Sequence, residues 1–315
     1  MTLRFLPWTR RGVAGVLDAV DDGGDLPARP AFPVTLTVNG ADARADVAAY
    51  GPGDVTGLDL DTIVRTTPRR FATDAAPDLL VGVEFDPPDL PWMFTPAVAG
   101  PDQRLRPWLV LVVVTQGPGV SISAGGARPL PVLTIEAPAV PVDEVPDLAE
   151  SWAWAHTQVL AADATADLTA TLADDDRTIS RLLCPRRLRP GTSYYAALVP
   201  AFDAGVAAGL GEDASDGPVG PAWTHDALGP TLRLPLFYHW EFTTGPAGDF
   251  EQLARRLRPV ALPDSVGTAP LHLGEAHRAL PALAPQDAVV GMEGALRSPR
   301  GGAGAEPGAA LEAWT

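Results

Sequence analysis

The sequence predicts an α+β protein: a β-rich body of mainly antiparallel strands with Pro-rich loops and a few peripheral helices. Three observations carry that expectation. Residues 84–116 (EFDPPDLPWMFTPAVAGPDQRLRPWLVLVVVTQ) begin with Pro87, Pro88, Pro91 and Pro96, which bar helix. An apolar run of strand length, Leu109 to Val114, follows directly. Near the start, Val34, Leu36 and Val38 alternate with Thr35 and Thr37 and lead into Asn39-Gly40, a strong hairpin turn signal.

The remaining elements follow in order. Val47 to Tyr50 is expected to return as the second arm of that hairpin. Leu79 to Phe85, Leu109 to Gln116, Val120 to Ser123 and Val132 to Ile135 read as strands, with Gly117-Pro118-Gly119 and Gly125-Gly126 as turns. After a proline-spaced connector, Ala137 to Pro146, the period changes. Leu148, Trp152, Ala155 and Val159 fit helical spacing, with Pro146 suited to a first turn. A second helix is predicted over Asp176 to Leu183, a strand over Tyr194 to Val199, and a short helix over Phe202 to Leu210 closed by Gly211. Thr231 to Thr244 reads as a long strand that Pro235 confines to an edge or a bulge. Asp249 caps a further expected helix, after which the pattern weakens and residues 298–310 resemble linker. The expected organisation is a β-rich domain over 1–140, a mixed α/β region packed on it over 141–260, and a weakly structured tail over 261–315. Arg-Leu-Arg-Pro recurs at 104–107, 187–190 and 256–259 without wider similarity, as composition alone explains.

With 315 residues, the chain can bury a sizeable core. It has 39 acidic and 23 basic residues, the latter all arginine, and a net charge of −16. That balance disfavours nucleic acid and anionic lipid as partners. The single Cys184 excludes an internal disulfide and a cysteine zinc cage. No apolar run approaches the roughly 20 residues of a membrane helix, and Pro7 breaks the N-terminal segment, so a cytoplasmic protein without membrane insertion is expected.

Signals for chemistry are weak. His239 and Glu241 share a strand face, which permits a metal pair but equally describes a polar strand face. His272 and His277 miss the spacing of a helical zinc motif. Asp174-Asp175-Asp176 lacks calcium-loop spacing and suits a helix cap. Gly51-Pro52-Gly53-Asp54 has no lysine to hold phosphate and reads as a tight turn. Ser193 has no local catalytic partner, and Cys184 beside Pro185 suits a small buried side chain. No catalytic, cofactor-binding or metal residue is predicted. The arginines Arg177, Arg181, Arg186, Arg187 and Arg189 either dock an acidic surface or pair within the chain.

Several strings together resemble a protein encoded with the extracellular contractile injection systems of actinobacteria, which are phage-tail-like particles. They are LRFLPWTRRG, EFDPPDLPWMFTPA with RLRPWLVLVVV, DLAESWAWAH, CPRRLRPGTSYYAALVPAFDAG and LPLFYHWEFTTGPAGDFEQLARRLRP, spread over residues 3–259. The resemblance implies a structural or assembly subunit near the baseplate or tail end, without enzymatic activity. It implies other particle subunits and further copies of itself as partners. Trp92, Met93, Phe94, Trp108, Arg181, Arg186, Arg187 and Arg189 are then the expected interface residues, since aromatic and Arg side chains are enriched at interfaces. The competing expectations are a metal-dependent hydrolase using His239 and Glu241, and a carbohydrate- or receptor-binding module with aromatics along a groove.

Overall fold

The computed structural model describes residues 1–11, 17, 19–20, 25–124, 129–213, 217–246, 254–258, 267–273, 284 and 288–293. Its strands in chain order are β1 (Thr2–Leu6), β2 (Ala31–Val38), β3 (Ala41–Ala48), β4 (Ile63–Thr67), β5 (Val81–Phe85), β6 (Leu109–Thr115), β7 (Val120–Ser123) and β8 (Val132–Ile135). They continue with β9 (Ala155–Ala161), β10 (Thr178–Cys184), β11 (Ser193–Pro200), β12 (Leu232–Pro235), β13 (Tyr238–Thr243), β14 (Thr268–His272) and β15 (Val289–Glu293). Helices among the described residues include α1 (Pro141–Glu144) and α2 (Asp203–Leu210), and residues 254–256 are also helical. The β-rich α+β class is therefore the observed one.

Residues 1–252 form one compact unit and 253–315 another. In the first, a five-stranded sheet has the order β1-β9-β10-β5-β4. Two three-stranded sheets have the orders β13-β11-β6 and β12-β8-β7, and β2 pairs with β3 alone. All these pairings are antiparallel. In the second unit β14 pairs with β15, Thr268 facing Glu293 and His272 facing Val289. That hairpin falls within the stretch expected as a weakly structured tail. The expected linker at 298–310 lies outside the described residues, as does most of the helix expected from Asp249. Strands from 1–140 and 141–260 alternate within single sheets, β1 and β5 beside β9 and β10, and β6 beside β11. Residues 1–140 and 141–252 thus belong to one unit.

One buried cluster joins the five-stranded sheet and the two three-stranded sheets. Val81, Val83 and Phe85 of β5, Leu182 and Cys184 of β10, Leu109 to Val114 of β6, Tyr194 to Val199 of β11 without Tyr195, and Trp240 and Phe242 of β13 all contribute. β6 is buried from Leu109 to Val114 and touches both β5 and β10. A strand covered on both faces needs the unbroken apolar sequence that residues 109–114 have.

The chain between β5 and β6 is largely buried, with Asp86, Met93 and residues 101–104 at the surface. The carbonyls of Pro87 and Pro88 accept hydrogen bonds from Ser180 Oγ (2.6 Å) and Thr157 Oγ1 (2.7 Å), hydroxyls on the inner face of the five-stranded sheet. Trp92 Nε1 donates to Leu105 O at 3.3 Å, and Trp108 Nε1 to Leu90 O at 2.7 Å. The Trp108 amide closes the loop onto Pro91 O at 2.8 Å. Phe94 and Phe237 meet the Trp108 ring edge to face. Both indoles of this loop thus have their polar atom satisfied.

Two predicted helices are strands. Leu148 to Trp154 forms only a 3-10 turn, capped by the Asp147 carboxylate on the Ala149 amide (3.1 Å), and β9 follows. Ala155, Thr157, Val159 and Ala161 alternate inward, so the helical spacing of Leu148, Trp152, Ala155 and Val159 was coincidental. Residues 178–184 likewise form β10, where Thr178, Ser180, Leu182 and Cys184 are buried and β5 and β9 supply partners on both sides. Cross-strand pairing and burial override local propensity here. The long strand expected over 231–244 is broken after Pro235, and its halves join different sheets.

Replacing Trp108 with Ala deletes a side chain that is 1% exposed and joins the loop to the core. The expected cost is about 3–5 kcal/mol, read as a lower urea midpoint at unchanged slope. A loss below about 1 kcal/mol would contradict this placement.

Candidate interaction surface

The least covered part of the first unit is the β2–β3 ribbon. Asn39 (φ 50°) and Gly40 (φ 80°) make the two-residue turn, both left-handed as a type I′ hairpin requires. Register then sorts the side chains. Phe32, Val34, Leu36 and Val38 face Val47, Ala45, Ala43 and Ala41, giving eight apolar residues on one face. Pro33, Thr35 and Thr37 face Asp46, Arg44 and Asp42 on the other. Phe32 is half-buried, and the rest of the apolar face is exposed: Val34, Leu36, Val38 and Val47 are 39%, 62%, 53% and 42% exposed. The second arm runs Ala41–Ala48, earlier than the expected Val47 to Tyr50.

The base of the ribbon is clamped. Asp54 accepts from Arg29 Nε at 2.9 Å and Nη2 at 2.5 Å, and from the Gly51 amide at 2.9 Å. The Arg29 hydrogen bonds, against the opposing effect of partial burial, hold the Asp54 carboxyl below the usual range. A Cβ on Gly51 would lie 1.7 Å from the Ala28 carbonyl oxygen, so only glycine permits this approach. The expected tight turn at 51–54 is present as a 3-10 turn over Pro52–Asp54. An open cleft of about 460 Å³ lies beside it, lined by Asp25, Leu26, Arg29 and Pro218 among others.

The outer face of the five-stranded sheet carries a charged row. Arg65, Glu84, Arg181 and His156 sit directly opposite one another on β4, β5, β10 and β9. Glu84 Oε1 accepts from both Arg65 Nη2 and Arg181 Nε at 2.7 Å, and Arg181 Nη1 donates to Gln158 Oε1 at 2.6 Å. Phe5 of β1 meets the His156 ring edge to face. Burial works to raise the Glu84 carboxyl, but the two arginines outweigh it and hold it below the usual range. Burial, then Arg181, pushes His156 below the usual histidine range, with Glu84 opposing. The row is flat and internally paired, which suits contact rather than proton transfer.

The expected interface residues fall differently. Trp92 and Trp108 are core residues, 0% and 1% exposed, because strand hydroxyls and backbone carbonyls draw their loop inward. Phe94 is half-buried against Trp108, and of these four only Met93 is exposed, at 43%. Arg181 is taken by Glu84 and Gln158. Arg186 donates to Val113 O, Glu144 O, Glu144 Oε2 and Thr115 Oγ1 at 2.8–2.9 Å. Arg177 donates to Leu160 O at 2.6 Å. The acids that pair with Arg181 and Arg186 are thus Glu84 and Glu144, not Asp174 to Asp176. Arg187 and Arg189 are exposed. The ribbon was missed as a surface, although the alternation ADARADV already showed its two faces.

Elsewhere, His239 and Glu241 do share one face of β13, with Trp240 buried on the other. Gln116 Nε2 donates to Glu241 Oε2 at 3.4 Å, and burial, then Arg70, lowers the His239 pKa against the pull of Glu241. Among the described residues no group of three or more His, Cys, Asp or Glu is placed to hold a metal ion. Asp174 begins a 3-10 turn, its carbonyl accepting from the Arg177 amide, and caps no α-helix. Cys184 is free and buried, and burial raises its thiol to about 11. No described helix is long and apolar enough to cross a membrane. Comparison with protein-family models, curated proteins and solved structures finds no match to this chain.

Acid titration tests the charged row. His156 binds its proton more weakly folded than unfolded, so stability falls as pH drops through its unfolded pKa of about 6.5. Glu84 contributes stability above its unfolded pKa of about 4.3, lost as pH falls through its lower folded value. The urea midpoint is expected to fall between about pH 7.5 and 5, less so in His156→Gln. Some fall persists there because His239 is shifted the same way. Glu84→Gln is expected to flatten the profile below about pH 4.5. Profiles identical to the wild type would contradict the row.

Proposed function

We propose that the chain is a structural and assembly subunit of a contractile, phage-tail-like injection particle, placed at the baseplate or tail end. It works through protein–protein interfaces, with other particle subunits and further copies of itself as partners, in a cytoplasmic particle. The resemblance carried by residues 3–259 supports the kind of particle. The observation that carries the interface role is the β2–β3 ribbon, whose apolar face is exposed at every residue but Phe32 and is covered by no strand among the described residues.

A lone two-stranded hairpin is marginal in water. An exposed contiguous apolar face ordinarily marks a contact surface. Here the ribbon is fixed by Gly51, Asp54 and Arg29 at its base rather than by a core of its own. A pre-set arm loses little freedom on docking, which favours a permanent contact.

The double change Leu36→Asp with Val38→Asp alters only exposed side chains. Its melting temperature is expected to stay within about 2 °C of the wild type. Tagged wild-type chain from the native host is expected to co-purify with sheath, tube or baseplate proteins, and the double variant to lose them. A wild-type chain without such partners, or a variant that keeps them, would overturn the proposal.

A further inference from the structure

We infer that the outer edge of β3 pairs antiparallel with the same edge of a second copy, about a two-fold axis through Ala45. This rests on the reading of the ribbon as an interface, not on the identity of the particle.

The two-residue turn fixes which backbone groups point outward. Val38 and Ala41 flank the turn as a hydrogen-bonded pair, so 36 with 43, 34 with 45, and 32 with 47 bond within the ribbon. The Ala49 amide, bonded to Pro30 O at 2.7 Å, keeps this phase. The amides and carbonyls of 42, 44, 46 and 48 therefore point away from β2, and those of 31, 33, 35 and 37 away from β3. Pro33 leaves the β2 edge one donor short. The β3 edge has no such block, and among the described residues no strand occupies it. By contrast, residues 71–75 line β13, with Phe71 and Ala75 amides donating to Glu241 and Thr243 carbonyls.

Charge then selects the occupant and its register. Pairing 44 with 46 of the second copy sets Arg44 opposite Asp46 twice, with 42 opposite 48 also hydrogen-bonded. A register centred on Arg44 sets Arg44 against itself and Asp42 against Asp46. One centred on Asp46 sets that carboxylate against itself. The register centred on Ala43 also pairs opposite charges, but overlaps only residues 41–45 and halves the ladder. Face-to-face stacking alone is too small for a stable dimer. The face is about 26 Å by roughly 10 Å, well below the about 800 Å² per partner of a standard interface. Main-chain pairing supplies what that area lacks, and it sets two apolar faces side by side in one four-stranded sheet.

Position 45 meets its own copy at a non-hydrogen-bonded pair, where Cα atoms sit about 4.5 Å apart, within disulfide range. The buried Cys184 does not interfere. Full-length Ala45→Cys is expected to form a reducible dimer on mild oxidation, while Ala43→Cys, about 13 Å from its copy, stays monomeric. By sedimentation, Arg44→Asp is expected to weaken self-association about tenfold, and Arg44→Asp with Asp46→Arg to restore it. Linking through Ala43→Cys instead, linking of Ala45→Cys to a different protein, or failure of the charge swap to restore association would each overturn the inference. Monomers that still co-purify with particle proteins would overturn this pairing and leave the proposed function standing.

Discussion

The structure depends on a proline-rich loop being held inside the molecule. Residues 87–108 leave the five-stranded sheet, cross its inner face and deliver the chain to β6. Prolines cannot donate hydrogen bonds, so the loop's carbonyls are the groups that need partners. Ser180 and Thr157 supply them from β10 and β9, where hydroxyls replace the aliphatic side chains expected on an inner face. The Trp92 and Trp108 indoles then close the loop upon itself through Leu105 and Leu90 carbonyls. Because of this arrangement β6 is covered along its length, and the five-stranded sheet shares one core with the two three-stranded sheets.

Exposed surface is distributed unequally as a result. The tryptophans that look like docking residues are used inside, and Arg181 and Arg186 are used between strands. Arg186 meets both β6 and α1 from the segment after β10, a junction that charge pairing with Glu144 stabilises. Among the described residues the ribbon stays exposed at all of its positions but Phe32, and it contributes no side chain to the buried cluster. Its amphipathic alternation is that of a strand pair made to lie on something, and its open β3 edge is what natural sheets ordinarily block. The interface role we propose would therefore rest on backbone geometry and small apolar residues more than on aromatic anchors.

Much of the fold was legible in the sequence. Turn chemistry at Asn39-Gly40, alternation before it, and apolar runs at 109–114 and 194–199 gave strands where strands are found. The failures have specific causes. Residues 148–159 fit a helical period because Leu148 and Trp152 belong to a 3-10 turn and Ala155 and Val159 to a strand, and the junction mimics one helix. In residues 178–183, β-branched Thr178 and Ile179 pointed to strand, but acids before them resembled a helix start. β1 and β4 were not anticipated, being short edge strands whose partners lie far along the chain. The charged row of Arg65, Glu84, Arg181 and His156 was equally out of reach, since only four-strand register brings those residues together. Exposure of the ribbon depends on what the rest of the chain leaves uncovered, which alternation alone does not encode.

Amide hydrogen exchange on chain purified with its partners from the native host tests the central claim, that this ribbon is a permanent interface, most directly. The outward amides of Asp42, Arg44, Asp46 and Ala48 report on it, with buried β6 as the internal reference. Protection of those amides in the assembled material, lost on dilution to isolated chain, is the predicted result. Exchange at the isolated-chain rate in the assembled material would contradict it.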